Sequence, residues 1–391
     1  MPKRLVYLDN AATTPVRPEV LEAMLPYLGR DVFGNPSSAH RFGRAARAGV
    51  EEAKRAIAEA LGAEPGQVIF TSGGTEADNL AVIGAALAAR DRGGPFRVAV
   101  SAIEHKAVLA AAHAVVHLGG EEIILPVDGG GAVSAEALDE ALERGVAIAC
   151  VMWVNNEVGA VQAVARLAAR CREAGVPFHV DAVQAFGKIP VSLRDVPCTL
   201  LTLSGHKIGA PKGIGALIVR DRHVVEAIIH GGGQQFGIRP GTENVPGIVA
   251  LGKAVELAAR EQAEFAVRVA ALRDDLERRL LAVVPDAVIN AARGPRAPHV
   301  SNVSIPGTDS EALLMHLDLA GIACSSGSAC STGAVEPSHV LTAMGVPREL
   351  GVAALRFSFG KDNTMEDVDT AIGAMPKIVG KVRQLSAVLH R

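Results

Sequence analysis

The sequence predicts an α/β protein with a mainly parallel sheet in a large domain and a smaller α+β domain. Three observations lead to this prediction. Short apolar runs without polar alternation, separated by amphipathic helical stretches, fill residues 67–219, which is typical of a parallel sheet covered by helices on both faces. A long helical pattern follows at 245–282, and mixed strand and helix patterns complete the chain. A chain of 391 residues that is 49% hydrophobic can bury cores of this size.

Seven apolar runs are predicted to be the strands of the sheet. In chain order they are QVIFTS, RVAVS, EIILPV, AIACVMWV, PFHVD, TLLTLS and GALIVR. Helical stretches join several of them, such as AVARLAARCREAG at 163–175, in which Gly175 suits the residue that follows a helix. Strands of this kind, joined by helices, are expected to run parallel.

The helical pattern at 245–282 is long enough to connect the sheet to a second domain. After it come HVSNVSIPG, the helix-like SEALLMHLDLAG, the cysteine-containing loop IACSSGSACSTGA (322–334), AALRFSFG and a closing amphipathic helix at 365–389. We therefore predict a large domain of residues 15–257. Residues 1–14 and 258–391 are predicted to form the small domain, which carries the cysteine loop.

Charge and cysteine content narrow the class of protein. The chain has 39 Lys and Arg against 42 Asp and Glu, a net charge of −3, so nothing indicates direct binding to nucleic acid or to an anionic membrane. Five cysteines without a CxxC pair favour a reduced, cytoplasmic protein over a secreted one. The beginning lacks the apolar core of a signal peptide, and GVAIACVMWV (145–154) is far shorter than the roughly 18 residues of a membrane span.

The stretch FTSGGTEADN (70–79) reads as a strand, a glycine turn and the start of a helix. Such a turn exposes backbone N–H groups where the helix dipole favours a phosphate, and Thr75 could add a hydroxyl donor. An ordinary βα turn capped by Thr75 is the alternative. The stretch matches neither GxxxxGK[ST] nor GxGxxG, which weakens a nucleotide-binding interpretation.

Two further residues follow predicted strands directly. Asp181 ends the strand in FHVDAVQAFG, at the edge where parallel sheets bind ligands, with a helix N-cap as the alternative. Lys207 follows the strand in LLTLSGHKIGAPKGIGAL, and burial there would favour the neutral amine that forms a Schiff base. Lys212 is its rival, in what looks like an exposed turn. A phosphate cradle, an aspartate for a pyridinium nitrogen and such a lysine are the parts of a pyridoxal phosphate site.

At this point the chain resembles the cysteine desulfurases of the NifS/IscS type, which belong to the class V aminotransferases. The resemblance rests on stretches that run in order from residue 7 to 360, among them YLDNAATTP, GNPSSAH, HVDAVQAFGK, SGHKIGAPKGIGAL, SSGSAC, EPSHVL and LRFSFG. It implies the aspartate aminotransferase-like fold, which is fold type I of the enzymes that use pyridoxal 5'-phosphate. It also implies an enzyme that takes sulfur from L-cysteine and releases L-alanine.

The resemblance further implies a role for each matching residue. Lys207 would hold the cofactor, Asp181 would pair with its ring nitrogen, Gln184 would hydrogen-bond its ring hydroxyl oxygen and His105 would stack on its ring. The phosphate would be held by Gly74, Thr75, Ser204, His206 and, from a second subunit, Thr242. Beside the cofactor, Asn156 and Arg356 would bind the substrate carboxylate, Arg356 through a bidentate fork. A core histidine, loop caps and an ion pair are the plainer alternatives for His105, Gln184, Asn156 and Arg356.

Cys330 of SSGSAC would be the nucleophile that takes the sulfur as a persulfide, attacking as a thiolate with help from His105. Its small neighbours would let the persulfide reach an acceptor protein. Cys324 is expected to be a buried, inert thiol, ahead of a disulfide with Cys330 or a zinc site of Cys324, Cys330 and His339. We expect no resident metal, although Cys330 is a candidate ligand of an iron–sulfur cluster in a partner complex.

One departure from the family pattern and several alternatives remain. Gln235–Phe236 stands where Glu–Arg is more frequent, which puts contacts at the subunit boundary in doubt. A selenocysteine lyase or a related class V aminotransferase is the enzymatic alternative, and a sulfur-carrier or scaffold partner is the non-enzymatic one. The expected partners are a second copy of the chain and a sulfur acceptor, such as an iron–sulfur scaffold or a tRNA-thiolating enzyme.

Overall fold

The computed structural model of the protein describes residues 4–326 and 336–389, so Cys330 lies outside the described residues. The strands in this part of the chain are β1 (Val6–Tyr7), β2 (Val68–Thr71), β3 (Arg97–Ser101), β4 (Glu121–Leu125), β5 (Ile148–Cys150), β6 (Phe178–Asp181), β7 (Leu200–Ser204), β8 (Gly215–Val219), β9 (Val288–Ile289), β10 (Val300–Ser304), β11 (Ile322–Ala323) and β12 (Ala354–Ser358). The helices are α1 (Pro18–Met24), α2 (Arg41–Leu61), α3 (Gly74–Asp91), α4 (Lys106–His117), α5 (Ala135–Glu143), α6 (Val164–Glu173), α7 (Val245–Val283), α8 (Ser310–Leu319), α9 (His339–Ala343), α10 (Arg348–Gly351) and α11 (Met365–Leu389).

The central sheet has the strand order β2-β8-β7-β6-β5-β3-β4 and contains all seven predicted strands. Strands β7, β6, β5, β3 and β4 pair parallel, whereas β8 pairs antiparallel with both β7 and β2. The predicted mainly parallel sheet is therefore confirmed, with one antiparallel strand. Because β8 reverses the direction, residues 205–214 form a hairpin connection at the carboxyl end of β7, and this connection carries Lys207.

Helices cover both faces of the sheet, and the strand residues alternate between the two faces as the pleat requires. On one face Ile69, Val98 and Ile148 pack against α3 and α4. On the other face Phe70 and Val180 pack among buried residues of α2, α5, α6 and α7. Since both faces are buried, the strands read as continuous apolar runs in the sequence.

Helix α7 contributes to two apolar cores. Ile248 and Leu251 near its start belong to the core beside the central sheet. Val269, Leu272 and Leu276 belong to a second core with β1, β10, β12, α8 and α11. In this second region β10 pairs antiparallel with β9 and β12, while β1 pairs parallel with β11. The domain boundaries at 14/15 and 257/258 stay a prediction.

Candidate active site

The carboxyl ends of β2, β3, β5, β6 and β7 meet at one edge of the central sheet, because these strands point the same way. A cavity of about 1040 Å³, part of it open to solvent, lies at this edge. Of the residues that the sequence predicts for the site, those that line the cavity are Gly74, Thr75, His105, Asn156, Asp181, Gln184, Ser204, His206, Lys207 and Arg356. Residues far apart in the chain are thus brought together where open α/β sheets bind ligands.

Lys207 follows β7 through a short 3-10 turn, Gly205–Lys207. Its Nζ donates hydrogen bonds to the main-chain oxygens of Ala11 and Ala12, at 2.6 Å each. Burial, followed by the positive charge of Arg356, lowers the pKa of Lys207 to about 8. At mildly alkaline pH a substantial fraction of the Lys207 side chains is therefore the neutral amine. Lys212, its rival in the sequence, is exposed.

Asp181 ends β6, is buried and lines the cavity. The N–H of Val183 donates to its Oδ1 at 2.9 Å. Burial raises the pKa of Asp181 to about 6, although this hydrogen bond and Lys207 act in the opposite direction. A cation placed against this carboxylate would offset the cost of its burial.

Asp78 lines the same cavity, and Glu104 is a fully buried carboxyl group that interacts electrostatically with Asp181; both were missed by sequence reasoning. Asp78, on α3, lines the cavity, and its Oδ1 has no hydrogen-bond partner among the described residues. Burial, followed by Asp181, raises the pKa of Asp78 well above its ordinary value. Burial raises the pKa of Glu104 to about 8. Asp78 could have been noticed in the sequence because it is a charged residue among the apolar residues Ala77, Leu80 and Ala81 on the buried face of α3.

Gly74 opens α3 beside two residues of neighbouring strand ends. A Cβ atom on Gly74 would meet Val183 Cγ2 at 3.2 Å and Ser204 Cβ at 3.3 Å, so a glycine keeps this cradle open. Thr75 is exposed at the helix start, and Ser204 is buried. The Nδ1 of His206 lies 3.2 Å from the Thr13 hydroxyl oxygen. Backbone N–H groups, two hydroxyls and an imidazole are thus available to an anionic group.

Arg356 reaches the cavity from β12 and is buried. One terminal nitrogen, Nη1, donates to the main-chain oxygen of Asn156 at 3.0 Å, and Nη2 donates to Asp9 Oδ1 at 2.7 Å. Its Nε has no hydrogen-bond partner in the part of the chain that the structure describes. The guanidinium thus lines the cavity, with its charge paired to Asp9 and its Nε donor unpaired.

His105 lies at the mouth of the cavity as the N-cap of α4. Its Nδ1 accepts a hydrogen bond from the N–H of Ala107 at 3.1 Å. Desolvation, followed by the charge of Lys207, lowers the pKa of His105. The ring is therefore neutral near pH 7, with its proton on Nε2.

The last described residues before Cys330 lie beside Arg356. Ser325 lines the cavity, and the backbone groups of Ser325 and Arg356 form hydrogen bonds to each other in both directions. Burial, followed by Asp9, raises the pKa of Cys324 to about 12. Cys150, Cys171 and Cys198 are buried with raised pKa values as well. The thiols of these four cysteines are therefore protonated at neutral pH.

Thr242 lies apart from the cavity, exposed in a separate cleft of about 600 Å³. Gln235 and Phe236 in this cleft region have φ angles of 48° and 61°, which are uncommon outside glycine. The side chain of Gln235 accepts from the N–H of Phe70 at 3.2 Å and donates to Glu243. Gln235, one of the two residues that differ from the family pattern, is therefore held by hydrogen bonds to Phe70 and Glu243.

Within residues 4–326 and 336–389, no helix is long and apolar enough to cross a membrane. The same residues contain no group of three or more His, Cys, Asp or Glu side chains arranged to hold a metal ion.

Comparison with known proteins matches residues 6–370 to the family described as aminotransferase class-V. A cysteine desulfurase IscS from Dictyoglomus turgidum is 43% identical over 384 residues, which cover 98% of this chain and 97% of the relative. A solved NifS-like protein has a TM-score of 0.87 and 34% identity, covering 98% of this chain and all of its own. A structure described as SspA in complex with cysteine has a TM-score of 0.79 and 33% identity, covering 90% of this chain and 98% of its own.

Proposed function

Because the chain belongs to the aminotransferase class-V family and is a cysteine desulfurase, we propose that it uses pyridoxal phosphate in the described cavity and passes the sulfur of L-cysteine to Cys330. One observation carries the proposal. A half-buried lysine of lowered pKa, a buried aspartate and a buried arginine line the same cavity at the ends of the strands. The cysteine bound to the structural relative described as SspA in complex with cysteine supports the choice of substrate.

The residues present fit this cofactor. Asp181 is a buried carboxylate whose raised pKa a protonated ring nitrogen would bring down, and Gly74 leaves the space that a phosphate needs. When bound, pyridoxal phosphate supplies an aldehyde that joins an amine and a ring that withdraws electrons from the substrate carbons. The residues that would hold it are Gly74, Thr75, His105, Asn156, Asp181, Gln184, Ser204, His206 and Lys207, with Thr242 of a second copy.

Substrate orientation falls to Arg356 and Asn156. The guanidinium is held by Asp9 and by the Asn156 main-chain oxygen, so its charge is fixed before the substrate arrives. Its unpartnered Nε supports a role for Arg356 in binding the substrate carboxylate. Lys207, with a pKa of about 8, can accept and return protons near neutral pH beside the same substrate.

Sulfur transfer falls to Cys330. Its thiolate would attack the sulfur of the substrate, forming an S–S bond while the bond from sulfur to the β-carbon breaks; that carbon takes a proton and leaves as alanine. Cys330 is five positions in the sequence after Ser325, which lines the cavity. His105 lines the cavity and would take the thiol proton on Nδ1 once that nitrogen gives up the hydrogen bond from the N–H of Ala107.

We propose that two copies of the chain form the working unit. Thr242 lies apart from the cavity of its own chain, which supports a contribution to the cavity of a partner. Exposed apolar side chains also cluster on α1, the residues after it and the start of α2: Leu21, Leu25, Leu28, Phe33 and Phe42. The rings of Phe33 and Phe42 lie 5.2 Å apart between centroids. Exposed apolar side chains so close together in the chain support an interface in this region.

The acceptor is proposed to be a protein, such as an iron–sulfur scaffold or a tRNA-thiolating enzyme. The IscS name of two similar relatives supports the first of these. A reducing compartment, the cytoplasm, suits a chain that must keep Cys330 as a thiol, and the four described cysteines are free thiols. The net charge of −3 gives no support for direct binding to nucleic acid or to a membrane surface.

The test is the visible absorption spectrum of the purified protein before and after addition of L-cysteine, with alanine and sulfide assayed in the same sample. We expect a yellow protein whose band shifts and which yields both products. Lys207→Ala should lose the band, whereas Lys212→Ala, in the exposed turn, should keep it. A colourless wild-type protein after supply of pyridoxal phosphate, or an unchanged band in Lys207→Ala, would refute the proposed cofactor site.

A further inference from the structure

We propose that His299 is a positioning residue, which holds the side-chain amide of Gln184 so that its N–H, and not its oxygen, faces the ring oxygen of the cofactor. This inference rests on the proposed function, in which Gln184 contacts that oxygen. His299 immediately precedes β10, whose Val303 belongs to the second core, and Gln184 follows β6 of the central sheet. Neither the sequence pattern nor the comparisons assign a role to His299.

The contact between the two side chains is buried. Gln184 and His299 are 4% and 1% exposed, and His299 Nε2 lies 3.1 Å from Gln184 Oε1. On the other side of the amide, Gln184 Nε2 donates to the main-chain oxygen of Ala11 at 2.8 Å. Both ends of the amide therefore have a fixed partner, and one hydrogen of Nε2 remains for the cavity that Gln184 lines.

The two partners permit one orientation of the amide. If the amide were turned over, its oxygen would face the Ala11 oxygen, and two acceptors would be opposed without a proton between them. Its NH₂ group would at the same time face the Nε2–H of His299. With His299 as donor and Ala11 as acceptor, both mismatches are avoided. The Ala11 oxygen, which can only accept, thus sets which end of Gln184 is which, and His299 holds the oxygen end as its donor.

The electrostatic surroundings keep His299 neutral. Burial comes first among the causes that lower its pKa well below the ordinary value, followed by the positive charges of Lys188, Arg356, Arg273 and Lys207. A neutral imidazole has one N–H, and the oxygen of Gln184 requires it on Nε2. Nδ1 then carries a lone pair, and no acceptor among the described residues requires a proton on that atom.

The N–H of Gln184 would also change the charge on the ring oxygen of the cofactor. An N–H that donates to the ring oxygen withdraws negative charge from it, so that this oxygen holds the proton shared with the Lys207 nitrogen less tightly. Loss of the donor therefore raises the pH at which the visible band of the holoenzyme changes. Because hydrogen bonds to charged groups are stronger than those between neutral groups, the shift should be on the order of one pH unit.

The experiment is a titration of that visible band in the holoenzyme variants Gln184→Leu, His299→Leu, His299→Gln and the double variant with leucine at both positions. We expect Gln184→Leu to raise the transition pH and His299→Leu to raise it part of the way. The amide N–H in His299→Gln can replace the imidazole donor, so this variant should return toward wild type. In the double variant the His299 change should add nothing, because its effect passes through Gln184.

The titration separates an incorrect role of His299 from an incorrect cofactor site. A band that Gln184→Leu leaves unmoved would overturn the assigned role of Gln184 and the role of His299 with it. A shift in Gln184→Leu without one in His299→Leu, or a His299 effect that persists undiminished in the double variant, would overturn the role of His299 alone. Should His299→Leu fail to fold, His299→Phe fills the same space with a ring that has no donor and takes its place in the titration.

Discussion

Cys324 and Cys330 lie six residues apart, and their proposed roles separate them completely. Cys324 packs against the second core with its thiol pKa raised to about 12, which leaves it protonated and unreactive at neutral pH. Cys330→Ser should therefore keep the visible band and bind L-cysteine while alanine formation falls by at least about 10²-fold. Cys324→Ser should retain most of the wild-type turnover. Alanine release, measured with and without a thiol acceptor, checks both variants. Normal turnover in Cys330→Ser would mean that another residue is the nucleophile.

Glu104 makes a second residue-level prediction, concerning pH and stability. Burial raises its pKa from 4.5 to about 8 in the folded protein, so the folded state favours the protonated form. Its contribution to stability is complete below about pH 4.5 and is lost as the pH rises through about 8. Glu104→Gln remains neutral and keeps an oxygen for the N–H of Met152 and the hydroxyl of Ser101.

The test of Glu104 is urea unfolding of the cofactor-free wild type and the Glu104→Gln variant at about pH 5 and about pH 9. We expect the wild type to lose more stability between these two conditions than the variant does. Equal losses in the two proteins would mean that Glu104 is not protonated in the folded state at the lower pH.

The sequence predicted those site residues that directly follow a recognisable strand. Asp181 and Lys207 directly follow apolar strands, so their place at the ligand-binding edge could be predicted from the pattern of strands. Asp78 and His299 could not be found in this way. Their chemistry depends on tertiary neighbours, an adjacent carboxylate for Asp78 and the Gln184 amide for His299.

At the level of elements, the loop after β8 is tied to the start of α3 by one ion pair. Arg239 Nε lies 2.7 Å from Glu76 Oε1, and Arg239 Nη2 lies 3.2 Å from Glu76 Oε2. The Oε2 of Glu76 also accepts from the N–H of Ser72, at 2.9 Å, in the glycine turn. The pair thus holds the proposed phosphate-binding turn in place, together with the loop that bears Thr242.

Arg239→Gln should loosen this turn and weaken cofactor binding without removing the chemistry at Lys207. For a partly buried two-point ion pair that contributes about 1 kcal/mol, the dissociation constant of the cofactor should rise about fivefold. Equilibrium dialysis against pyridoxal phosphate measures this. Arg278→Gln, which removes an exposed ion pair with Asp275 within α7, is the matched control and should leave cofactor affinity unchanged. Equal affinity in wild type and Arg239→Gln would contradict a bracing role.

The elements themselves differ in how far sequence could predict them. The seven central strands and α7 are long enough to show their periodicity. Strands β1, β9 and β11 have two residues each, too few for any pattern, and form because neighbouring segments supply their hydrogen bonds. The direction of β8 also depends on its partners, since its apolar run reads like those of the parallel strands.

At the level of the whole molecule, the proposed pairing of two chains makes each active site composite. Thr242 is exposed in its own chain and lies outside the cavity that contains Lys207. If Thr242 serves the cavity of a partner, each site consists of one chain's Lys207 and the other chain's Thr242. A defect at Thr242 in one subunit then appears in the other subunit, and subunit exchange can reveal it.

The decisive measurement mixes two defective variants, Lys207→Ala and Thr242→Ala, and follows alanine formation at limiting cofactor. In a mixed dimer, the site built around the intact Lys207 receives Thr242 from the Lys207→Ala chain and is complete. The other site lacks both groups. Activity should therefore rise after refolding the two together, above the sum of the separate variants, and light scattering should report a dimer. If Thr242 served its own chain, neither site of the mixed dimer would be complete, and mixing would add nothing. An active monomer at assay concentration would contradict the pairing itself.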